Sequence, residues 1–251
     1  MDLPRTPLVS IITVVRNGAA TIASTLDSVR AQRQAVVEHL IIDGASTDGT
    51  LDIIKTNKHE QLRWISEPDQ GIYDAMNKGI SLARGEWLLF LGADDVLVDP
   101  DVLADIFSKR DLTSYDLVCG TSSYQNGRVC VPRLDWHTLV FNTIHHQAAF
   151  YRRSLFNNFR YRLDIPVVAD YELNFLIYRQ HRPVLFLDRQ IAMGGCYGVS
   201  HTSSQLSGQF DSYRIRGRHI NVMLNAFLLV AGLVDFFIAR LMGRASRHKR
   251  L

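Results

Sequence analysis

The chain has 251 residues, of which 47% are hydrophobic and 21% charged, and its formal net charge is +3. These totals exclude an intrinsically disordered chain, and the length suits one large α/β domain or two small ones. Three scattered cysteines exclude a disulfide framework and a clustered zinc site, and they fit a reducing compartment. The N-terminus lacks the apolar helix and cleavage site of a signal peptide, so we expect a cytoplasmic protein.

The positive charge is concentrated at the C-terminus. Residues 214–251 contain eight Lys and Arg residues but only one acid, Asp235, which leaves the remaining residues with a net charge of −4. An even basic coat, as expected of a nucleic-acid-binding protein, is therefore absent, and we expect no nucleic-acid partner. A basic tail of this kind instead favours contact with an anionic surface.

The first half of the chain alternates between predicted strands and helices. Apolar runs predict strands at 8–15, 39–44, 62–66 and 86–92, and the segments between them predict helices at 21–32, 46–57 and 73–83. This alternation indicates βαβ units and parallel strands. Polar residues follow each strand, at the edge where such sheets bind ligands.

The second half is less regular. Residues 116–125 and 128–132 predict a hairpin around Asn126-Gly127, followed by a helix at 167–180 and a strand at 183–188. We expect one domain at 1–213 and a basic amphipathic helical tail at 214–251.

The apolar run within the tail, residues 226–234, has nine residues. Because a membrane-spanning helix needs about 20, this run favours a helix lying at a membrane surface. A helix that packs on the core and a true span are the alternatives.

Four carboxylates follow the predicted strands: Asp43, Asp69, Asp94 and Asp95. Each one alone is also typical of a turn or a helix cap. Carboxylates repel a diphosphate, but they can hold it through a divalent cation, because Mg²⁺ is commonly bound by carboxylates together with substrate phosphates. Their gathering at one sheet edge therefore predicts a nucleotide-diphosphate site.

Four strings in order resemble the family 2 inverting glycosyltransferases: SIITVVRN (10–17), IIDGASTDGT (41–50), SEPDQGIYDAMNKGI (66–80) and FLGADD (90–95). The chain is most similar to the branch that builds bacterial exopolysaccharides and O-antigens, including colanic acid transferases. The resemblance covers residues 7–200. It implies a GT-A fold, in which a Rossmann-like, nucleotide-binding mixed sheet is flanked by helices.

The resemblance also implies roles for the residues of these strings. Donor-binding residues would be Thr13, Val14, Arg16, Asp43, Asp69, Tyr73, Lys78 and Asp94. Asp95 would bind Mg²⁺ or Mn²⁺. Ala93 stands where an Asp-x-Asp pattern would have its first acid, and adjacent residues of an extended segment point to opposite faces. We therefore assign the metal to Asp95 and the ribose or sugar hydroxyls to Asp94.

Later segments resemble the acceptor side of the same family. His146, Gln147 and Arg152 lie in the string IHHQAAFYRRSLF, although core packing is the alternative for the histidine and solvent exposure for the arginine. Asp170, in VVADYELNF, matches the catalytic base, with a helix N-cap as its alternative role and Glu172 as the alternative base. The loop at 194–204 resembles a diphosphate flap, with His201 as a phosphate contact.

We therefore expect an inverting, hexosyl-type glycosyltransferase at the inner face of a bacterial membrane. It would move one sugar from a nucleotide-diphosphate donor to a polyprenyl-diphosphate-linked saccharide. A nucleotidyltransferase is disfavoured because no Gly-rich loop with Lys or Arg follows the first strand. A non-catalytic nucleotide-sugar-binding subunit is disfavoured by the acid at position 170.

Overall fold

The computed structural model of the chain describes residues 6–33, 36–195 and 205–248. Its strands are β1 (Val9–Val15), β2 (Val37–Asp43), β3 (Leu62–Ser66), β4 (Trp87–Phe90), β5 (Val96–Leu97), β6 (Leu117–Tyr124), β7 (Val129–Cys130), β8 (Ala149–Arg152) and β9 (Val184–Gly194). The helices are α1 (Ile22–Arg30), α2 (Thr50–Thr56), α3 (Ile72–Leu82), α4 (Val102–Phe107), α5 (Asp170–Arg179), α6 (Gln205–Arg216) and α7 (Val222–His248). Short 3-10 helices lie at Trp136–Leu139, His146–Ala148 and Arg153–Phe156.

The strands form a mixed sheet in the order β3-β2-β1-β4-β8-β6-β9-β5, and β7 pairs with β6. The first four are mutually parallel, whereas β8 runs antiparallel to both β4 and β6. Strands β1, β2 and β4 are buried almost throughout, as expected of parallel strands covered on both faces, which explains their continuous apolar runs. The expected mixed α/β fold is confirmed.

The predicted elements of the first half are present, but the second half differs in extent. The strand expected at 183–188 continues to Gly194, past an irregularity in its pairing with β6. This extension carries Gly194 to the end of β4, where the candidate site lies. Strands β5 and β8 and helix α4 were not predicted, because each has six residues or fewer and no clear period.

The C-terminal helices pack on the sheet domain. Ile215 and Arg216 of α6 are fully buried, and Arg216 donates from Nε to Asn225 Oδ1 of α7 and from Nη1 to the Val140 carbonyl. The expected boundary between residues 213 and 214 therefore falls inside α6.

Within the described part of the chain, none of the helices combines the length and apolar character that crossing a membrane requires.

Helix α3 approaches β1 closely at Gly79. A Cβ on Gly79 would lie 2.4 Å from Ile12 Cγ2, whereas a Cβ on Gly208 of α6 would meet nothing nearer than Val168 Cγ1 at 3.7 Å. We expect Gly79→Ala to lower the free energy of unfolding by about 1–3 kcal/mol through overpacking. Gly208→Ala is the matched control and should be neutral or stabilising by up to about 1 kcal/mol, because alanine favours a helix. Urea unfolding of both variants measures the difference, and equal stability would contradict the close approach.

Candidate active site

Three strand ends meet around Gly44. Arg16 follows β1, Gly44 follows β2 and Asp69 follows β3. A Cβ on Gly44 would lie 2.3 Å from Asp69 Oδ2 and 3.4 Å from Arg16 Cβ, so only glycine leaves room for that carboxylate. Asp69 Oδ1 accepts from the Gly71 amide at 2.9 Å. The exposed Arg16 and half-buried Asp69 therefore form a charged, solvent-accessible corner at the carboxyl edge of the sheet.

The carboxylate of Asp43, which is expected to bind the donor, makes internal hydrogen bonds. Its carboxylate is fully buried and accepts from the Ser46 amide, the Ser46 hydroxyl and the Ser66 hydroxyl. It thus joins the loop after β2 to the end of β3. Asp43 is therefore engaged with its own loop, and its contact with a donor stays a prediction.

Thr13 and Val14 also belong to the interior. The Thr13 hydroxyl lies 3.0 Å from His39 Nε2, and both residues are fully buried. Burial lowers the pKa of His39 to about 3, so this histidine is neutral. Val14 is half-buried and packs against the core cluster that includes Tyr73.

Lys78 holds the loop that carries Asp69. Its Nζ donates to the Pro68 carbonyl at 2.8 Å, lies 2.9 Å from Glu67 Oε1 and is 3.6 Å from Asp74 Oδ2. The hydrogen bond to Glu67 is the main cause that raises the pKa of Lys78. The ammonium group is therefore engaged with its own loop.

Asp94 and Asp95 face a pair of glycines at the end of β9. A Cβ on Gly194 would lie 3.0 Å from Asp95 Oδ1, and one on Gly195 would lie 2.4 Å from Asp94 Oδ2. Asp95 Oδ2 accepts from the Gly92 amide at 2.8 Å. The two glycines thus let the backbone of the 194–195 segment close against both carboxylates. Ser200 and His201, further along this loop, lie outside the described residues.

Asp95 is only 7% exposed, and burial, followed by the negative charge of Asp94, raises its pKa to about 6. A nearby cation would stabilise the ionised form of a carboxylate in these surroundings. Within the described residues no group of three or more His, Cys, Asp or Glu side chains gathers around a common point. Carboxylates together with phosphate oxygens are the usual ligands of Mg²⁺, and the metal-binding role of Asp95 stays a prediction.

Asp170 opens α5 but does not cap it. Its carboxylate turns inwards, where Oδ2 accepts from Asn142 Nδ2 at 2.8 Å and from His146 Nδ1 at 3.3 Å, and Oδ1 lies 3.1 Å from the Tyr73 hydroxyl. Burial opposes ionisation, but the hydrogen bond and charge of His146, together with the hydrogen bonds from Tyr73 and Asn142, outweigh it and lower the pKa of Asp170. The lowered pKa keeps this buried acid ionised at neutral pH.

His146 contacts Asp170, and the charge of Asp95 also acts on it. Burial opposes its charge, yet the hydrogen bond and charge of Asp170, together with the charge of Asp95, raise the pKa of His146. The neighbouring Gln147 is buried and donates to the Tyr124 hydroxyl at 3.1 Å. Tyr124 in turn lies against Gly194, so Gln147 supports the wall beside Asp95.

Arg152 does not belong to this site, which corrects the expectation. It pairs with Trp87 at the amino end of β4, and its guanidinium carbon lies 4.4 Å from the Trp87 ring centroid. Its nitrogens donate to the Tyr115 and Leu112 carbonyls and to Glu86. The site edge is at the opposite, carboxyl end of the same strand.

Tyr73 and Glu172 also lie elsewhere than expected. Tyr73 is 5% exposed and reaches Asp170 instead of the donor corner. Glu172 is buried, but its Oε1 lies 2.6 Å from His219 Nε2, behind α5. Asn142 was missed by sequence reasoning, since a single asparagine in a loop carries no recognisable pattern.

Comparison with known proteins places the chain in a family. Residues 10–180 match the family model for glycosyl transferase family 2, and the chain belongs to that family. A PGL/p-HBAD biosynthesis glycosyltransferase of Mycobacterium bovis (strain BCG / Pasteur 1173P2) is 40% identical over 183 residues, which cover 67% of this chain and 68% of the relative.

Two solved structures share the fold. S. aureus TarS 1–349 in complex with UDP-GlcNAc superposes with a TM-score of 0.70 at 18% identity, covering 90% of this chain and 71% of that one. The mannosyltransferase PcManGT from Pyrobaculum calidifontis, in complex with GDP-Man and Mn²⁺, gives 0.68 at 17% identity, covering 98% and 81%. At these identities the likeness establishes a GT-A-like fold.

The raised pKa of Asp95 predicts a pH-dependent cost to stability. The folded state binds this proton more tightly than the unfolded chain, so stability falls as pH rises from about 4 to about 6 and stays lowered above. In chelator, we expect Asp95→Asn to raise the free energy of unfolding by up to about 3 kcal/mol at pH 8 and by little at pH 4.

Urea unfolding across this pH range, with the exposed Asp52→Asn as control, measures the effect. A difference between Asp95→Asn and the parent protein that is constant with pH would contradict it. Replacing the chelator with Mn²⁺ should stabilise the parent protein more than the variant, because the variant lacks a carboxylate ligand.

Proposed function

We propose that this family 2 glycosyltransferase is an inverting enzyme that transfers a hexosyl group from a nucleotide-diphosphate sugar to a saccharide carried on polyprenyl diphosphate. Bacterial surface-polysaccharide synthesis is the setting that the sequence strings favour. The observation that carries the proposal is the buried Asp170 carboxylate, held by Asn142 and His146, together with a separate acidic pair, Asp94 and Asp95. Inverting transfer needs these two centres, one to accept a proton and one to bind the leaving diphosphate.

The donor is assigned to the carboxyl edge of the sheet. Arg16 and Asp69 form the corner nearest β1 to β3, and Asp94 faces the glycine segment at 194–195. Asp95 would hold Mg²⁺ or Mn²⁺, which when bound supplies positive charge to the departing diphosphate. The complexes of TarS with UDP-GlcNAc and of PcManGT with GDP-Man and Mn²⁺ support a nucleotide-sugar donor for this chain.

Asp170 takes the acceptor side of the reaction. As the acceptor hydroxyl attacks the anomeric carbon, its O–H bond breaks and the proton moves to the Asp170 carboxylate. The bond from the anomeric carbon to the diphosphate breaks on the opposite side, and the nucleoside diphosphate leaves with the electron pair. Hydrogen bonds from Asn142 and His146 hold the carboxylate for this task.

A lipid-linked acceptor fits the exposed face of α7. Five apolar side chains, each at least 51% exposed, form one stripe along this helix: Met223, Phe227, Val230, Val234 and Phe237. Their spacing of three and four residues is that of one helical face. Since the helix leads into the Arg- and Lys-rich C-terminus, its apolar face and charge together match an anionic membrane surface. We therefore place the protein peripherally at the inner face of the cell membrane.

The base assignment predicts the effect of Asp170→Asn. Loss of the proton acceptor should slow transfer at least about a hundredfold while leaving donor binding intact. The assay measures nucleoside diphosphate released from a panel of UDP- and GDP-hexoses with Mn²⁺ and a synthetic polyprenyl-diphosphate-linked monosaccharide. Glu172→Gln is the control and should retain activity within about tenfold of the parent protein, as its carboxylate serves His219. Full activity of Asp170→Asn would refute the assignment.

The membrane assignment predicts a loss of vesicle binding in the double variant Phe227→Glu/Phe237→Glu. Removing two apolar contacts and adding negative charge should weaken sedimentation with phosphatidylglycerol vesicles at least about tenfold. Val129→Glu/Val131→Glu is the matched control, because both valines are exposed and lie on or next to β7 and not on α7. Equal binding by both variants and the parent protein would favour a purely structural α7. Binding to neutral phosphatidylcholine should be weaker than to phosphatidylglycerol and less sensitive to salt.

A further inference from the structure

The Tyr73 hydroxyl faces two acceptors but has one proton. Its oxygen lies 2.6 Å from the Val167 carbonyl oxygen and 3.1 Å from Asp170 Oδ1. A phenol can donate to only one of them at a time. The acceptor oxygen that does not receive this proton faces the phenol oxygen with no hydrogen bond between them, unless that acceptor carries a proton of its own. The arrangement therefore has two states that differ in where the tyrosine proton points.

Both acceptors are reached from a well-fixed ring. Tyr73 lies in the first turn of α3 and is 5% exposed, and its ring centroid is 5.4 Å from that of Tyr161. Gly71, with φ of 116°, starts this helix, and its amide binds Asp69. One short segment thus places Asp69 at the donor corner and Tyr73 against the base. The hydroxyl can rotate, whereas the ring stays in place.

We propose that Tyr73 is a positioning residue for the base, and that its hydroxyl donates to Asp170 while that carboxylate is ionised and turns to the Val167 carbonyl once Asp170 is protonated. The inference rests on the proposed role of Asp170. It assigns Tyr73 to the acceptor-side centre, away from the donor. Before transfer, the hydroxyl stabilises the charged base. After transfer, its hydrogen bond to the Val167 carbonyl keeps this buried donor paired.

No proton passes through Tyr73 in this scheme. The acceptor oxygen bonds to the anomeric carbon as its O–H bond breaks and the proton goes to Asp170 Oδ1. The bond from the anomeric carbon to the diphosphate breaks, and its electron pair leaves with the nucleoside diphosphate. The Tyr73 proton stays on its own oxygen and only changes direction. Burial, and then the charge of Asp170, raise the pKa of Tyr73 well above its ordinary value, so the phenol keeps its proton throughout.

The other groups around Asp170 act on its second oxygen or at longer range. Asn142 and His146 donate to Oδ2, which leaves Tyr73 as the donor to Oδ1 within the described residues. Tyr151 and Tyr161 are buried phenols nearby, and the charge of Asp170 helps to raise their pKa. Loss of the Tyr73 hydroxyl therefore removes a donor that no neighbour replaces.

The test compares Tyr73→Phe with Tyr171→Phe. Both remove a buried hydroxyl bonded to a carbonyl, since Tyr171 donates to the Leu139 carbonyl at 2.9 Å, but only Tyr73 also meets the base. For Tyr73→Phe we expect kcat to fall about tenfold or more with donor KM unchanged, because a hydrogen bond to a charged group is lost. The acid limb of the kcat profile should move up by about one pH unit, since Asp170 loses a donor to its ionised form. Tyr171→Phe should stay within about twofold, with its acid limb in place.

The assay is release of nucleoside diphosphate from the same UDP- and GDP-hexose panel with Mn²⁺. An unchanged kcat and acid limb in Tyr73→Phe, or equal losses in both variants, would overturn the inference. Should Tyr73→Phe fail to fold, 3-fluorotyrosine at position 73 keeps the shape and makes a stronger donor, so the acid limb should move down instead. An unmoved limb would also overturn the inference. Full activity of Asp170→Asn would instead remove the proposed function beneath it.

Discussion

Keeping one buried carboxylate charged is the constraint on which this structure depends. Asp170 sits in the interior, where an unpaired charge is costly, and its donors come from separate parts of the chain. Tyr73 comes from α3, Asn142 from the loop before β8, and His146 from a 3-10 helix beside it. Asn142 is itself held by Asn174, which accepts from Tyr151. The parallel half and the antiparallel half of the sheet domain are therefore joined by the groups that serve this acid.

Two buried acids at one edge carry opposite perturbations, and this difference gives them different chemistry. The pKa of Asp170 is lowered because the protein supplies its donors and the charge of His146, whereas burial and Asp94 raise the pKa of Asp95. The protein thus satisfies the charge of the base but leaves Asp95 in need of a positive partner. A cation that arrives with the donor would meet this need. Environments that push two pKa values apart are a common way to divide roles between acids.

The sequence predicts this architecture best where local pattern and burial agree. Strands β1, β2 and β4 were predicted because both of their faces are covered, which makes them continuous apolar runs. The sheet edge that gathers Asp69, Asp94 and Asp95 followed from that pattern. The directions of individual side chains could not be predicted from that pattern. Asp43 turns to Ser46 and Ser66. Arg152 lies at the far end of β4, because β8 pairs with β4 in the antiparallel direction. Non-local contacts of this kind, like the link between Asn142 and Asp170, leave no period or motif in the chain.

Helix α5 also relates the base to the C-terminal helices. Asp170 faces the site, whereas Glu172, two residues further on, binds His219 behind the helix. Close by, the buried Arg216 bonds Asn225 of α7 and the Val140 carbonyl, and no described carboxylate pairs with it. A buried guanidinium without a counter-ion is expensive, so its hydrogen bonds matter for the stability of this region. They connect α6 with α7 and with the segment that carries Val140. On the proposed membrane contact, these connections would set the height of the base above the lipid surface, and hence the reach required of a lipid-linked acceptor.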